Sequence, residues 1–319
     1  MRLAREQLVA DAQPVPVEGL HEADHYLEKS LDLYRNGFGD RVLTGLNYLD
    51  EIYSVGKGLL TVITGVPSHG KSTFVDCLMV NLARRYGYMT AICSFENQPP
   101  VHIGKLAQII LQKHFFKTDK PGPRMSEDEY RSVMPFINKH FKFLFHDDGK
   151  KASLESIIER IKTAVFRWGV QCVVIDPYNY IVRPKSAANE TEWIDDMLTQ
   201  LRLLAAAYDL HIWFIAHPTK LQADAEGNYA PPKGYSISGS AAWYSKPDFG
   251  LTIYRTGSAV RIINWKTRFD WLGKDGEARC VYDNTRHIYL ADVASDMAPL
   301  RFPRMVVNNE EEEAYQRPH

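Results

Sequence analysis

At 319 residues with 45% hydrophobic content the chain can bury one substantial core, so a single domain with peripheral extensions is the economical expectation. Its net charge is −1, and because Glu310 to Glu313 supply four of the negative charges the remainder carries only +3, which excludes a generally basic surface: DNA, if bound, is held by a local lining of charge. The absence of a bilayer-length apolar run, of a signal-peptide core after Met1 and of any C-x-x-C pairing among Cys77, Cys93, Cys172 and Cys280 sets aside a membrane protein, a secreted disulfide scaffold and a zinc ribbon.

Residues 1–40 carry Pro14 and Pro16, then Gly19, Leu20, Tyr26, Leu27, Leu31, Leu33 and Tyr34 before Gly37. The pattern predicts a linker and a short amphipathic helix ending at the glycines. Its apolar side needs a covering surface, either on its own domain or on a neighbouring subunit. Residues 43–53 predict a helical lead into a first strand at 59–64, a short apolar run. There follows Gly65-Val66-Pro67-Ser68-His69-Gly70-Lys71-Ser72, which fits G-x-x-x-x-G-K-[ST] at every fixed position, then Thr73 and a helical pattern over 74–85. A strand that enters and a helix that leaves are the flanks a phosphate-binding loop requires. Backbone N–H groups of the turn and the positive end of the helix dipole then cradle phosphate oxygens, with Lys71 reaching the β and γ phosphates and Ser72 on Mg²⁺. The bland alternative is a glycine turn that binds nothing.

Further on, strand 89–94 delivers Glu96 at its carboxyl end, and helices cover 101–115 and 126–140 on either side of a loop at Pro121-Gly122-Pro123. A strand at 141–145 precedes a helix over 154–168, with Ser153 as N-cap and Gly169 as its stop. Strand 170–176 ends in Asp176, a helix covers 191–208, and strand 211–216 ends at His217. Strands alternating with helices, the strands being near-continuous apolar runs, predict an α/β fold with a mainly parallel central sheet covered on both faces. In such sheets ligands sit at the carboxyl ends of strands, where Glu96, Asp176 and His217 emerge. Residues 218–238 have no periodicity and carry Lys220 and Lys233; a loop of that length is functional or mobile. C-terminal hairpins are predicted from strands at 249–255 and 259–265, with Lys266-Thr267-Arg268 just beyond, and from short strands near 279–282 and 287–290. The acidic tail after Pro303 is expected to be disordered.

Each chemical candidate carries a plain alternative. Asp176 has the character of a Mg²⁺-shell carboxylate beside Ser72, or it caps the turn at Pro177. Glu96 reads equally as a solvated loop residue or as the base that orients an attacking water. His217 is either a satisfied strand-end histidine or a γ-phosphate contact that relays nucleotide state to the loop after it. Lys266 and Arg268 alternate on a strand and so point to one side, as a solvated edge or as a charge clamp given to a neighbouring subunit's γ-phosphate, typically worth about 10³ to 10⁵ in rate.

Together these segments resemble the DnaB-type replicative helicases with a RecA-like core, most closely the Twinkle-like branch and the helicase half of phage primase-helicases. The matching stretches are GVPSHGKST (65–73), ICSFEN (92–97), VVIDPYN (173–179), WFIAHP (213–218), SISGSA (236–241) and WKTR (265–268), in family order across residues 40–290. Residues 19–37 look like the linker that precedes the helicase half. The resemblance implies a linker with a subunit-docking helix over 1–40, a RecA-like ATPase domain over 41–300 and an acidic tail over 301–319. It also implies a homo-oligomeric ring, usually a hexamer, with ATP (or another NTP or dNTP) and Mg²⁺ between subunits. Single-stranded DNA would lie in the channel and be tracked 5′ to 3′, with a primase or polymerase as a possible replisome partner. By position, Gly65, Ser68, His69, Gly70, Lys71, Ser72 and Thr73 hold the triphosphate and Ser72 and Asp176 its metal. Glu96 matches the catalytic glutamate, His217 the γ-phosphate sensor, and Lys266 and Arg268 the trans-acting pair. Arg255 and Tyr282 match residues that pack on the nucleotide base, and Lys220 and Lys233 become candidates for DNA phosphate contacts. With no zinc-binding cysteine set and no room for a primase ahead of residue 40, priming is not expected of this chain. His217, where many relatives have glutamine, points to the Twinkle-like branch.

Two other classes fit parts of this pattern: a recombinase-like or clock-type ATPase that binds a strand without unwinding, and a monomeric nucleotide kinase. The kinase would need an arginine-lined acceptor pocket, whereas the basic residues here are scattered along late strands. The cysteine usage fits a reduced compartment, cytoplasm or organellar matrix.

Overall fold

The computed structural model describes residues 20–37, 41–145, 152–184, 187, 189–219, 221, 225, 229–237 and 239–292. Lys220, Ser238 and the acidic tail lie outside them. The chain forms two compact units, Met1–Arg41 and Val42–His319. In the first, a short 3₁₀ turn (Ala23–Tyr26) runs into a helix, Leu27–Asn36, which closes at Gly37 through a bond from its N–H to the Leu33 carbonyl. No side chain of this helix is buried, and Leu27, Leu33 and Tyr34 are exposed.

The second unit is built on one nine-stranded sheet. Its strands are β1 Leu59–Thr64, β2 Thr90–Ser94, β3 Phe141–Phe143, β4 Cys172–Asp176, β5 His211–Ile215, β6 Phe249–Thr256, β7 Ala259–Thr267, β8 Gly276–Asp283 and β9 Ile288–Ala291. The order across the sheet is β3-β2-β4-β5-β1-β6-β7-β8-β9. Pairing is parallel from β3 to β6 and antiparallel from β6 to β9. The period of two divides the core. Leu59 and Ile63 of β1, with Val174 and Trp213, pack on one face, beneath helices Lys71–Tyr86, Pro99–Leu111 and Glu127–His140. Leu60 and Val62, with Val173 and Phe214, pack on the other, beneath helices Leu154–Trp168 and Glu190–Ala207.

Helix ends follow local chemistry. Ser153 accepts a bond from the Ser156 N–H and Gly169 takes a left-handed φ of 67°, so Leu154–Trp168 has the ends its sequence signals. Ser126 and Glu129 form a full capping box ahead of Glu127–His140. The helical lead expected over 43–53 shrinks to a single turn, Asn47–Asp50. Gly45 sits at φ +82°, Thr44 bonds through its N–H and hydroxyl to Asp50 Oδ1, and Val42 bridges Val55, so the segment folds as a single turn pinned from outside the helix. The helix expected to reach residue 115 stops at Leu111 because Gln112 adopts φ +54° and the Gln108 side chain takes the Phe115 N–H.

Candidate nucleotide-binding site

β2, β4, β5 and β1 are successive neighbours in the sheet, so their carboxyl ends form one rim. The phosphate loop leaves β1 on this rim and enters helix Lys71–Tyr86. Gly65 has φ +152°, and a Cβ on it would lie 2.3 Å from the Ile253 carbonyl oxygen of β6; only glycine lets the loop start this close to the neighbouring strand. Ser68 (φ 64°) and Gly70 (φ 89°) turn the chain back into the helix. Tyr289 of β9 donates its hydroxyl to the Gly70 carbonyl at 3.2 Å, which braces the turn from the far edge of the sheet.

Lys71 is buried and its Nζ donates to the Gly65 and Val66 carbonyls at 2.9 and 3.2 Å, so the ammonium lies inside the loop's own curve. Burial pulls its pKa down, opposed by the carboxylates of Asp176 and Glu96. His69 Nδ1 accepts the Arg255 N–H at 3.0 Å, pinning the loop to β6. Thr73 follows Ser72 in the helix's first turn.

Asp176, the last residue of β4, is 2% exposed. The Ser72 hydroxyl donates to its Oδ2 at 2.5 Å, while Oδ1 is buried with no hydrogen-bond partner among the described residues. Burial pushes its pKa up to about 6, against the Ser72 bond and with help from the Glu96 charge. A hydroxyl and an under-satisfied carboxylate side by side are the hard oxygens a magnesium ion takes, and such an ion draws its remaining ligands from phosphates and water. The donor set of Ser72 and Asp176 therefore fits Mg²⁺.

Glu96 lies two residues beyond β2, next to a backbone bond from the Phe95 N–H to the Asp176 carbonyl at 2.9 Å. It is exposed, and its Oε1 meets His217 Nε2 at 3.2 Å. His217 follows β5 by two residues; burial and then the Lys71 charge lower its pKa, against the pull of Glu96. The rim thus brings the loop, Glu96, Asp176 and His217 together.

Lys266 and Arg268 are elsewhere. The end of β7 pairs with the start of β6, Thr267 opposite Phe249, and Phe249 pairs with Thr61 of β1. Strand geometry places this end of β7 roughly 15 Å from the phosphate loop, toward the opposite edge of the parallel strands. Both side chains do point one way: Lys266 Nζ donates to the Tyr244 and Ser245 carbonyls at 2.5 and 2.7 Å, and Arg268 to the Ser245 and Lys246 carbonyls at 3.1 and 3.2 Å. Arg268 also pairs with buried Asp248 at 3.1 Å, as does Arg202 at 3.3 Å. Burial and the Arg268 charge bring Lys266 down to about 8.

The half-buried Arg255 lies over the Tyr282 ring at 5.0 Å, and Tyr282 is 8% exposed against Tyr289, so Arg255 is the outer member of that pair. Lys233 is exposed in the loop after β5, which an antiparallel bridge between Pro218 and Ile237 closes at its base. A cleft of about 770 Å³ beside helix Glu190–Ala207 is lined by Glu192, Asp195, Asp196 and Lys246, which pairs with Asp195 at 2.9 Å and leaves an acidic balance that disfavours a triphosphate. Two supporting groups had escaped sequence reasoning. His102 and Asp76 form a buried pair at 2.8 Å joining the helix after Glu96 to the phosphate-loop helix, and Lys105 Nζ donates to Asn97 Oδ1 at 2.7 Å. No sequence signal marks either, since each depends on how elements pack.

Residues 41–226 match the family model described as the DnaB-like helicase C terminal domain. The chain is 33% identical over 313 residues to the Twinkle homolog protein, chloroplastic/mitochondrial, of Arabidopsis thaliana, a match that covers 94% of this chain and 44% of that protein. It therefore spans less than half the length of this relative. Among solved structures, an ATPase domain superposes with a TM-score of 0.70 at 17% identity, over 85% of this chain and 99% of that one. A DnaB-like replicative helicase, solved with attention to its interactions with primase, superposes with a TM-score of 0.68 at 17% identity, over 90% and 70%. At that identity the two establish a shared fold. Among the described residues no helix is long and apolar enough to cross a membrane.

Proposed function

Because this chain belongs to the DnaB-like helicase C-terminal domain family, we propose that it is the ATP-driven motor of a replicative DNA helicase that works as a homo-oligomeric ring, probed below as a hexamer. The observation that carries this is the division of the cationic groups. Lys71 lies in the phosphate loop beyond the carboxyl end of β1, whereas Lys266 and Arg268 lie two strands to the side, Lys266 opposite Gly250 of β6, which pairs with Val62 in the middle of β1. A pocket whose clamp stands roughly 15 Å away in the same chain is completed by the next copy of the chain.

In that ring, backbone N–H groups of residues 65–73 and Lys71 bind the triphosphate, and Arg255 packs on the base. A Mg²⁺ ion bound with the nucleotide would neutralise phosphate charge. Ser72 and Asp176 would hold that ion. Glu96 orients the attacking water and accepts its proton. His217, now bonded to Glu96, exchanges that partner for the γ-phosphate and so passes nucleotide state into the loop that carries Lys220 and Lys233. Those lysines track the phosphates of a single strand, 5′ to 3′, while the other strand is excluded. The helix Leu27–Asn36 covers its apolar side on an adjoining subunit. A primase is the replisome partner, and the organellar matrix the compartment, after the descriptions of the relatives; a polymerase is the other candidate partner.

Two measurements on one preparation test this: native mass with an ATP analogue and single-stranded DNA, and unwinding of a forked duplex with ATP and Mg²⁺. A hexamer that opens the fork is expected. A ring whose ATPase responds to single strands without opening any fork would instead make the chain a non-unwinding RecA-like ATPase.

A further inference from the structure

The loop after β5 ends in an aromatic ladder built on the sheet. Gly250 of β6 lies flat beneath Trp265 of β7; a Cβ at Gly250 would come within 2.2 Å of the indole. Trp265 stacks on Tyr244 with centroids 5.4 Å apart and planes 21° apart, and Tyr244 stacks on Tyr235 at 4.4 Å and 14°. Gly234 brings the loop against the same indole, where a Cβ would sit 2.8 Å away. The mount is stiff: Ser236 N–H donates to the Lys233 carbonyl at 2.8 Å, Thr219 N–H to the Ser236 carbonyl at 2.8 Å, and the Thr252 hydroxyl to the Pro232 carbonyl. Exposure grows along the ladder, from 4% at Trp265 to 68% at Tyr235. The last ring thus has one face stacked and the other in water.

Two lysines lie near the ladder. Lys233 is exposed two residues before Tyr235, and Lys266 Nζ lies 5.6 Å from the Tyr244 ring centre. A flat aromatic face held rigid beside cations suits a group that is flat, aromatic and attached to phosphate. We propose that Tyr235 is a stacking platform for one unpaired base of a single-stranded nucleic acid, with Lys233 on an adjacent phosphate. Every base has a π-face, so the contact is tolerant of sequence. Because Tyr235 is already stacked, little side-chain freedom is lost on binding. The middle residue of the ladder is also where Lys266 is tied, through the Tyr244 carbonyl, so an occupied platform bears on the residue proposed to act in the neighbouring pocket.

The proposal rests on the single-strand function proposed for the chain, and the test separates the two. The full chain with an ATP analogue is titrated with an oligothymidylate, with an abasic oligonucleotide of equal length, and with one carrying 2-aminopurine, whose fluorescence is quenched by stacking. Tyr235→Ala should weaken oligothymidylate binding by roughly 5- to 100-fold, leave abasic binding unchanged and abolish the quench. Tyr235→Phe should behave as the unaltered protein, which also guards against a folding defect. Equal binding and equal quenching by Tyr235→Ala and the unaltered protein would overturn this proposal alone. No binding by the unaltered protein would overturn the single-strand function as well. A Tyr235→Ala chain that loses its oligomeric state would assign the ring to a contact between copies and overturn the proposal.

Discussion

Ser72 and Asp176 stand 104 residues apart, yet the serine hydroxyl donates to the aspartate at 2.5 Å across the ends of β1 and β4. The bond satisfies one carboxylate oxygen and leaves the other buried without a hydrogen bond among the described residues. A raised folded pKa, from 3.8 to about 6, means that the nucleotide-free chain is penalised where Asp176 is ionised, above pH 6, and is relieved as pH falls toward the unfolded value. Asp176→Asn should therefore stabilise the nucleotide-free protein at pH 7 by on the order of 2–3 kcal/mol. Its Mg²⁺-dependent turnover should fall by at least about 10- to 100-fold. Denaturant melts beside ATPase rates check both; a variant that is neither more stable nor less active contradicts the assignment.

Glu96 bonds to His217 and faces the rim from the tip of its own strand. Glu96→Gln keeps the shape and removes the proposed base, so ATP affinity should stay within about threefold while turnover drops by roughly 10² to 10⁴. Binding by equilibrium titration and single-turnover hydrolysis separate the two effects, and hydrolysis at the parental rate would remove Glu96 from the chemistry.

The His102–Asp76 pair ties the helix that follows Glu96 to the helix that follows the phosphate loop, with Asp76 one turn beyond Ser72. Burial alone would lower the His102 pKa, but the Asp76 carboxylate at 2.8 Å overrides it and the net shift is upward. The pair's stabilisation is then complete below pH 6.5 and is lost as pH rises through the elevated folded value. Thermal melts should show that decline, and Asp76→Asn should flatten it. His102→Ala leaves a carboxylate buried without its partner and should cost about 3–5 kcal/mol.

Much of this was legible because it is local. The loop announces itself through the spacing of Gly65, Gly70, Lys71 and Ser72, and the helix Leu154–Trp168 through Ser153 and Gly169. The β-strands show as apolar runs since both faces of the sheet are covered. What the residues could not give was the lateral order of strands. That order sets Asp248 between Arg202 and Arg268, places His102 on Asp76, and stacks Tyr235, Tyr244 and Trp265 from three separate elements. Residues 43–53 misled for a related reason: their apolar spacing suits a helix, but the Thr44–Asp50 bond and the left-handed Gly45 select a single turn.

Lys266 is half-buried and held near a pKa of about 8, first by burial and then by the Arg268 charge, so it loses its proton just above neutrality. The clamp proposed for Lys266 needs its charge, so kcat/KM should fall on the alkaline side with an apparent pKa of about 8. Lys266→Arg keeps the charge and should carry that limb upward by about a pH unit or more. An unmoved alkaline limb would mean that another group sets it.

The central claim is that one protomer holds the triphosphate and the next one cleaves it. Lys71→Ala subunits lack a working loop but present an intact Arg268; Arg268→Ala subunits have the loop but no clamp to give. Each alone should be nearly inactive, and mixing them should restore ATPase activity with a maximum near equal proportions, because some interfaces then pair a sound loop with a sound clamp. No recovery at any ratio, in mixtures shown by native mass to co-assemble, would contradict the account.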